Sequence, residues 1–206
     1  MLNTTASTTP CSKRRTDLPL LLLRAVGLVL CLLVMPAQAS EVPSITYGDI
    51  QLENADYVIN ADIDLTLNDR VEDAIRHGIA VYFVLEAVIE SPRWYWLDKT
   101  LVSENLSYRI TYHALTRSFR LAIGNFHQSF DTLNAAVRTM TRVRRWRVAD
   151  VSALEPGQSY KVALRFRLDT DLLPRPFKVS ALGSRDWSID TEEMSWMFLT
   201  AGRAAP

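Results

Sequence analysis

Five arginines fall within one ten-residue stretch, Arg138, Arg142, Arg144, Arg145 and Arg147, the densest charge cluster of the chain. A guanidinium is permanently charged and presents a planar fork of donors that fits a phosphate or a carboxylate. The chemistry this cluster suits is anion binding: a phospholipid headgroup, a phosphorylated glycan or an acidic partner. On a helix, Arg138, Arg142 and Arg145 share one side at spacings of four and three, which makes these three the candidate binding residues. A solvated helix face accounts for the same pattern, because cations near a helix C-terminus meet the negative end of its dipole, worth about 0.3–1 kcal/mol each.

Trp94, Tyr95 and Trp96 form a second candidate, a stacking platform for a glycan ring or a peptide. Strand alternation puts Trp94 and Trp96 on one face and Tyr95 on the other. Burial in a β core is the competing account, since each aromatic ring hides a large apolar area. Two carboxylate pairs, Asp62 with Asp64 and Asp169 with Asp171, have the residue types for calcium binding or acid–base work. Neither reaches the ligand density of a calcium loop, and a polar strand face and a turn explain them. His77, His113 and His127 are too far apart in sequence for a metal signature. The chain has no Gly-rich phosphate loop, no Gly-x-Ser-x-Gly and no His-Glu-x-x-His. No catalytic residue, metal site or cofactor is therefore assigned.

The elements that must position these residues are mostly strands. Tyr57, Ile59, Ala61, Ile63, Leu65 and Leu67 alternate with Asn60, Asp62, Asp64 and Thr66, a period of two. Ile45–Glu53 reads as a strand before it, joined through Asn54-Ala55-Asp56. Asn68-Asp69 opens a short helix with Val71, Ala74 and Ile75 on its apolar stripe and Gly78 at its end. Ile79–Ile89 is apolar on both faces, which predicts a central strand. Arg93–Leu101 and Leu106–Ala114 follow, and a turn near Thr116 leads to Phe119, Leu121 and Ile123 as a hairpin. Ser129–Val143 is predicted as the second helix, capped by Ser129 or Asp131, with Phe130, Leu133, Val137 and Met140 facing the core. Trp146 and Val148 suggest a short strand. Glu155-Pro156-Gly157 is a turn before Tyr160, Val162, Leu164, Phe166 and Leu168. The tail from Asp169 reads as irregular, with Trp187, Trp196 and Phe198 available to pack back. The fold class expected is mainly β, an antiparallel β-sandwich or strongly curved sheet with two short covering helices.

Residues 1–39 read as a signal peptide and 40–206 as a single β-rich periplasmic domain. Lys13-Arg14-Arg15 precedes an apolar run whose uninterrupted part, Ala25–Val34, is far shorter than a bilayer-spanning helix requires. Pro36 breaks it, and Ala37-Gln38-Ala39 offers small residues for cleavage between Ala39 and Ser40. An uncleaved inner-membrane anchor is the alternative; after cleavage no membrane span is expected. Both cysteines, Cys11 and Cys31, precede the cut, so the mature chain has no disulfide. Loss of Lys13, Arg14, Arg15, Arg24 and Asp17 changes 23 basic and 23 acidic residues to 19 and 22. A mildly acidic domain is a poor nucleic-acid binder.

A series of landmarks runs through the chain: Gly78-Ile79 with Phe83 and Glu86, Arg93-Trp94-Tyr95-Trp96, Leu106-Ser107-Tyr108, Leu115-Thr116-Arg117, then Tyr160, Arg165, Leu168-Asp169, Leu173-Pro174 and Pro176. Their order resembles an uncharacterised family of exported proteobacterial proteins known only as a domain of unknown function. The resemblance implies a single exported domain in Gram-negative bacteria, with a link to a membrane sensor kinase, and it supplies no catalytic residues. The function expected is a non-enzymatic periplasmic binding or accessory module whose partner is an envelope protein or a sensor ectodomain. The second reading is an envelope hydrolase or glycan-processing enzyme using Asp or Glu side chains, which requires two carboxyl groups facing each other across a cleft.

Overall fold

The computed structural model describes residues 42–93, 98–181 and 184–201, all within the second of the two units into which the chain divides, Glu41–Pro206. The fold is mainly β, in two antiparallel sheets with short helices. Strands β1 (Ser44–Glu53), β2 (Asp56–Asp64) and β7 (Arg142–Asp150) form a three-stranded sheet in the order β1-β2-β7. Strands β3 (Val81–Ser91), β4 (Lys99–His113), β5 (Ser118–Ile123), β6 (Phe126–Phe130), β8 (Ser159–Leu168) and β9 (Met194–Leu199) form a six-stranded sheet in the order β6-β5-β4-β3-β8-β9.

Alternation decides which side chains enter the core. Ile59, Ala61 and Ile63 of β2, Val81 to Ile89 at odd positions of β3, and Tyr160 to Leu168 at even positions of β8 are all buried in one cluster. Phe83 and Phe166 stack at its centre with ring centroids 5.6 Å apart. Strand β3 is central as its composition predicts, lying between β4 and β8. Its outward face is screened differently from its inner one: Val84 is buried, and Glu86 and Glu90 are ion-paired to Arg167 and Lys161 of β8. The two sheets meet where Tyr57 of β2 packs edge-on against Phe198 of β9, and where Gly48 of β1 lies under the indole of Trp196.

Helix α1 (Asp69–Arg76) follows the sequence closely. The Asn68 side chain accepts a hydrogen bond from the Val71 N–H, and Val71, Ala74 and Ile75 are buried. His77 follows the helix, its ring nitrogen 2.6 Å from the Asp73 carbonyl. Gly78, at φ +82°, ends the helix in the left-handed conformation. Among the described residues no helix is long and apolar enough to cross a membrane.

Several elements depart from expectation. The second helix, α2 (Leu133–Met140), is shorter than the predicted 129–143 and is capped by Thr132, whose hydroxyl accepts from the Ala135 N–H. Ser129 and Phe130 belong to β6 instead, because pairing with Arg120 and Phe119 satisfies backbone groups that a first helical turn leaves unpaired. Val143 starts the next buried strand face, which ends the helix at Met140. The tail holds a third short helix, α3 (Arg175–Ala181), and strand β9, whose Trp196 and Phe198 face inward while Met197 and Leu199 remain exposed.

Candidate functional site

The last turn of α2, the first residues of β7 and the end of β2 enclose a cleft of about 430 Å³, lined by Asp62, Ile63, Asp64, Leu65, Val137, Arg138, Thr141, Arg142 and Arg144. A second cleft of about 420 Å³ adjoins it, lined by Phe130, Ala135, Arg138, Thr139 and Arg142. Arg138 and Arg142 line both, so these two residues form a common wall. Helix geometry explains one of them: Arg138 stands on the face opposite the buried Leu133, Ala136, Val137 and Met140. Arg142 opens β7 just past the helix end, and Val143 beside it turns into the core.

The remaining three arginines are committed to acids on neighbouring strands. Arg144 reaches Asp62 at 2.6 Å and donates to the Ala61 carbonyl at 3.0 Å. Arg145 pairs with Glu53 at 2.7 Å and Arg147 with Asp56 at 2.7 Å. A β-bulge makes this arrangement. Ile59 pairs with Trp146 and Ala61 with Val143, so Arg144 and Arg145 together stand opposite Asn60. Arg145 adopts φ +52°, and its N–H donates to the Asn60 side-chain oxygen at 2.9 Å. Strict alternation from the buried Val143 would turn Arg145 into the core. The extra residue keeps both arginines in water and returns Val148 to the inside.

The structure thus brings Arg138 and Arg142 together and separates Arg145 from them. The expected three-residue helical alignment fails because the helix ends before Arg142. Among the described residues, Arg138 and Arg142 carry no ion-pair partner. Trp94, Tyr95 and Trp96 fall in 94–97, outside the described residues, as do Ala39 and Ser40.

The cleft has one acidic wall and one basic wall. Asp62 and Asp64 lie two apart on β2, on the same side, and no carboxyl group lines the facing wall. Asp62 is already held by Arg144. This is not the opposed pair that two-carboxylate hydrolysis requires. Asp169 and Asp171 serve a turn: the Asp169 carboxylate accepts from the Asp171 N–H, and the Lys178 ammonium beside Asp171 holds that carboxyl below the usual range. Among the described residues no three His, Cys, Asp or Glu side chains converge as a metal site would need. Sequence spacing identified Arg138 and Arg142 but not the opposite wall, Asp62–Leu65, because that approach is long-range. Thr141, the buried link between α2 and β7, donates its amide to Val137 and accepts the Ile63 amide across the cleft floor.

The model of a family described as a domain of unknown function, DUF4390, matches residues 41–197. No curated protein and no solved structure matches the chain.

Proposed function

We propose a role for a chain that belongs to the DUF4390 domain-of-unknown-function family: a non-enzymatic accessory module of the cell envelope that captures an anionic group of a partner protein between Arg138 and Arg142. The observation that carries this reading is that two guanidinium groups without an acidic partner share the wall of two adjoining clefts, while Arg144, Arg145 and Arg147 beside them are each paired. An unpaired guanidinium retains its full fork of donors for a carboxylate or phosphate. An acidic segment of an envelope protein, such as a sensor ectodomain, has the chemistry to fill the site. Lys13-Arg14-Arg15, the short apolar run and Ala37-Gln38-Ala39 support export to the periplasm, with cleavage after Ala39.

The test is capture of envelope proteins on the tagged, exported chain. Arg138→Glu with Arg142→Glu should abolish capture of a partner that the wild-type chain retains, most clearly at low salt, because exposed charges are screened beyond about 8–10 Å at physiological strength. Arg145→Ala, which breaks only the Glu53 pair, should leave capture intact. Equal capture by wild type and the double variant would remove this function from the cleft.

A further inference from the structure

The outward face of the six-stranded sheet divides into two halves of different electrostatic character. On β3 and β8 its charges are paired, with each other or with acids of the segment before β9: Arg167 with Glu86, Arg165 with Asp190, and Lys161 with Glu90 and Glu193. On β4, β5 and β6 the register assembles a different set. Arg109, Ala122 and His127 form one cross-strand row, Thr111, Arg120 and Ser129 the next, and His113 with Ser118 the last. These residues alternate with Tyr108, Ile110, Phe119 and Leu121, which are buried, so they stand on the opposite face. The three rows contain no Asp or Glu. Among the described residues, Arg109 and Arg120 have no ion-pair partner, and the Arg120 Nε is shielded from water without an acceptor.

We infer that this half-face docks on a bilayer surface rich in anionic phospholipid. Neighbouring side chains in a row stand about 5 Å apart and successive rows about 7 Å apart, a flat array that suits a plane of headgroups better than one enclosed ligand. Hydroxyl groups of Thr111, Ser118 and Ser129 sit among the cations as further phosphate donors. An apolar anchor stands at one end of this face: Leu115, in the turn before β5, is 95% exposed. Single apolar side chains beside a cationic surface are the combination that interfacial binding uses.

The experiment is co-sedimentation of the chain recovered from the cell envelope, with its own N-terminus, on vesicles of phosphatidylcholine alone or mixed with phosphatidylglycerol. Wild type should partition onto the mixed vesicles and lose this at high salt. Arg109→Gln with Arg120→Gln should lower partitioning about 30-fold without lowering the melting temperature, each arginine near an anionic surface contributing roughly a factor of five. If the double variant does not fold, Arg109→Gln alone, at an exposed position, should still give about fivefold. Arg138→Gln with Arg142→Gln should leave vesicle binding unchanged, which separates this surface from the cleft. No preference of wild type for the anionic vesicles, equal partitioning of the arginine variants, or loss of a captured protein without any loss of vesicle binding would each overturn the inference.

Discussion

Gly48 sits where the two sheets meet, and replacing it with alanine measures how tightly they are packed there. A Cβ built on Gly48 lies 2.8 Å from Cζ3 and 3.0 Å from Cη2 of Trp196, and 3.4 Å from Sδ of Met194. Carbon atoms rest at about 3.5–4.0 Å, so the indole has to retreat by about 0.5–1 Å. The indole is rigid, and it shares its sheet face with Val162, its buried cross-strand partner on β8. Its retreat is therefore transmitted to the core. Overpacking of this kind costs about 1–3 kcal/mol. Alanine also restricts the unfolded chain, which returns about 0.4–1 kcal/mol. The net expectation for Gly48→Ala is a loss of about 0.5–2.5 kcal/mol, a fall of a few degrees in the melting temperature for a domain of this size. The assay is urea unfolding of Gly48→Ala in the wild-type and Trp196→Leu backgrounds. Without the indole the clash vanishes and only the chain-entropy term remains, so the same substitution should become neutral or slightly stabilising. A Gly48→Ala effect of the same sign and size in both backgrounds would refute this account of the sheet interface.

Two further substitutions follow from local geometry. Asn54 and Ala55 connect β1 to β2 with φ of +49° and +71°, the two-residue turn that favours Asn-Gly. Ala55→Gly relieves a left-handed alanine worth about 1–2 kcal/mol against about 0.4–1 kcal/mol of added unfolded-state entropy, so thermal unfolding should show a gain of about 0–1.6 kcal/mol. Tyr108 is buried, and burial raises its phenol above the ordinary value of 10. The folded state then holds that proton more tightly than the unfolded state, so its contribution is intact below pH 10 and is lost as pH rises through the folded value; Tyr108→Phe should flatten the decline of the urea midpoint above about pH 10, with the residual slope arising from Tyr57, which burial shifts the same way.

Much of the fold is legible because period-two alternation and helix capping are local. Tyr160 to Leu168 and the odd residues of β3 enter the core as their spacing dictates, and Asn68 caps α1 through its own side chain. What was not legible is instructive in the same terms. Strand β6, Phe126-His127-Gln128-Ser129-Phe130, is exposed along four of its five residues. Its apolar ends carry no clear period, and only pairing with β5 makes it a strand. Strand β9 sits in a Pro-containing tail, and its inward Trp196 and Phe198 have a reason to alternate only once β8 supplies the neighbouring edge.

The candidate site divides along the same line. A helical period can place Arg138 on the solvent side of α2, because Leu133, Val137 and Met140 fix the opposite face. It cannot place Arg145, because the period itself changes at Thr141. Past that point the relevant rule is strand alternation, and Val143-Arg144-Arg145-Trp146 violates it: one of two adjacent arginines would have to enter the core beside Ile59. Expelling an arginine from an apolar core outweighs the cost of one left-handed residue, which is about 1–2 kcal/mol. The strand therefore bulges at Asn60, and Arg144 and Arg145 are captured by Asp62 and Glu53 on the outer surface. The same event that removes Arg145 from the expected triad defines the site that remains. Arg144 holds Asp62, one of the two acids that line the cleft, and α2 itself carries no acid to face Arg138. The two guanidinium groups are left available by the geometry of the bulge, a consequence that no count of arginines along the chain contains.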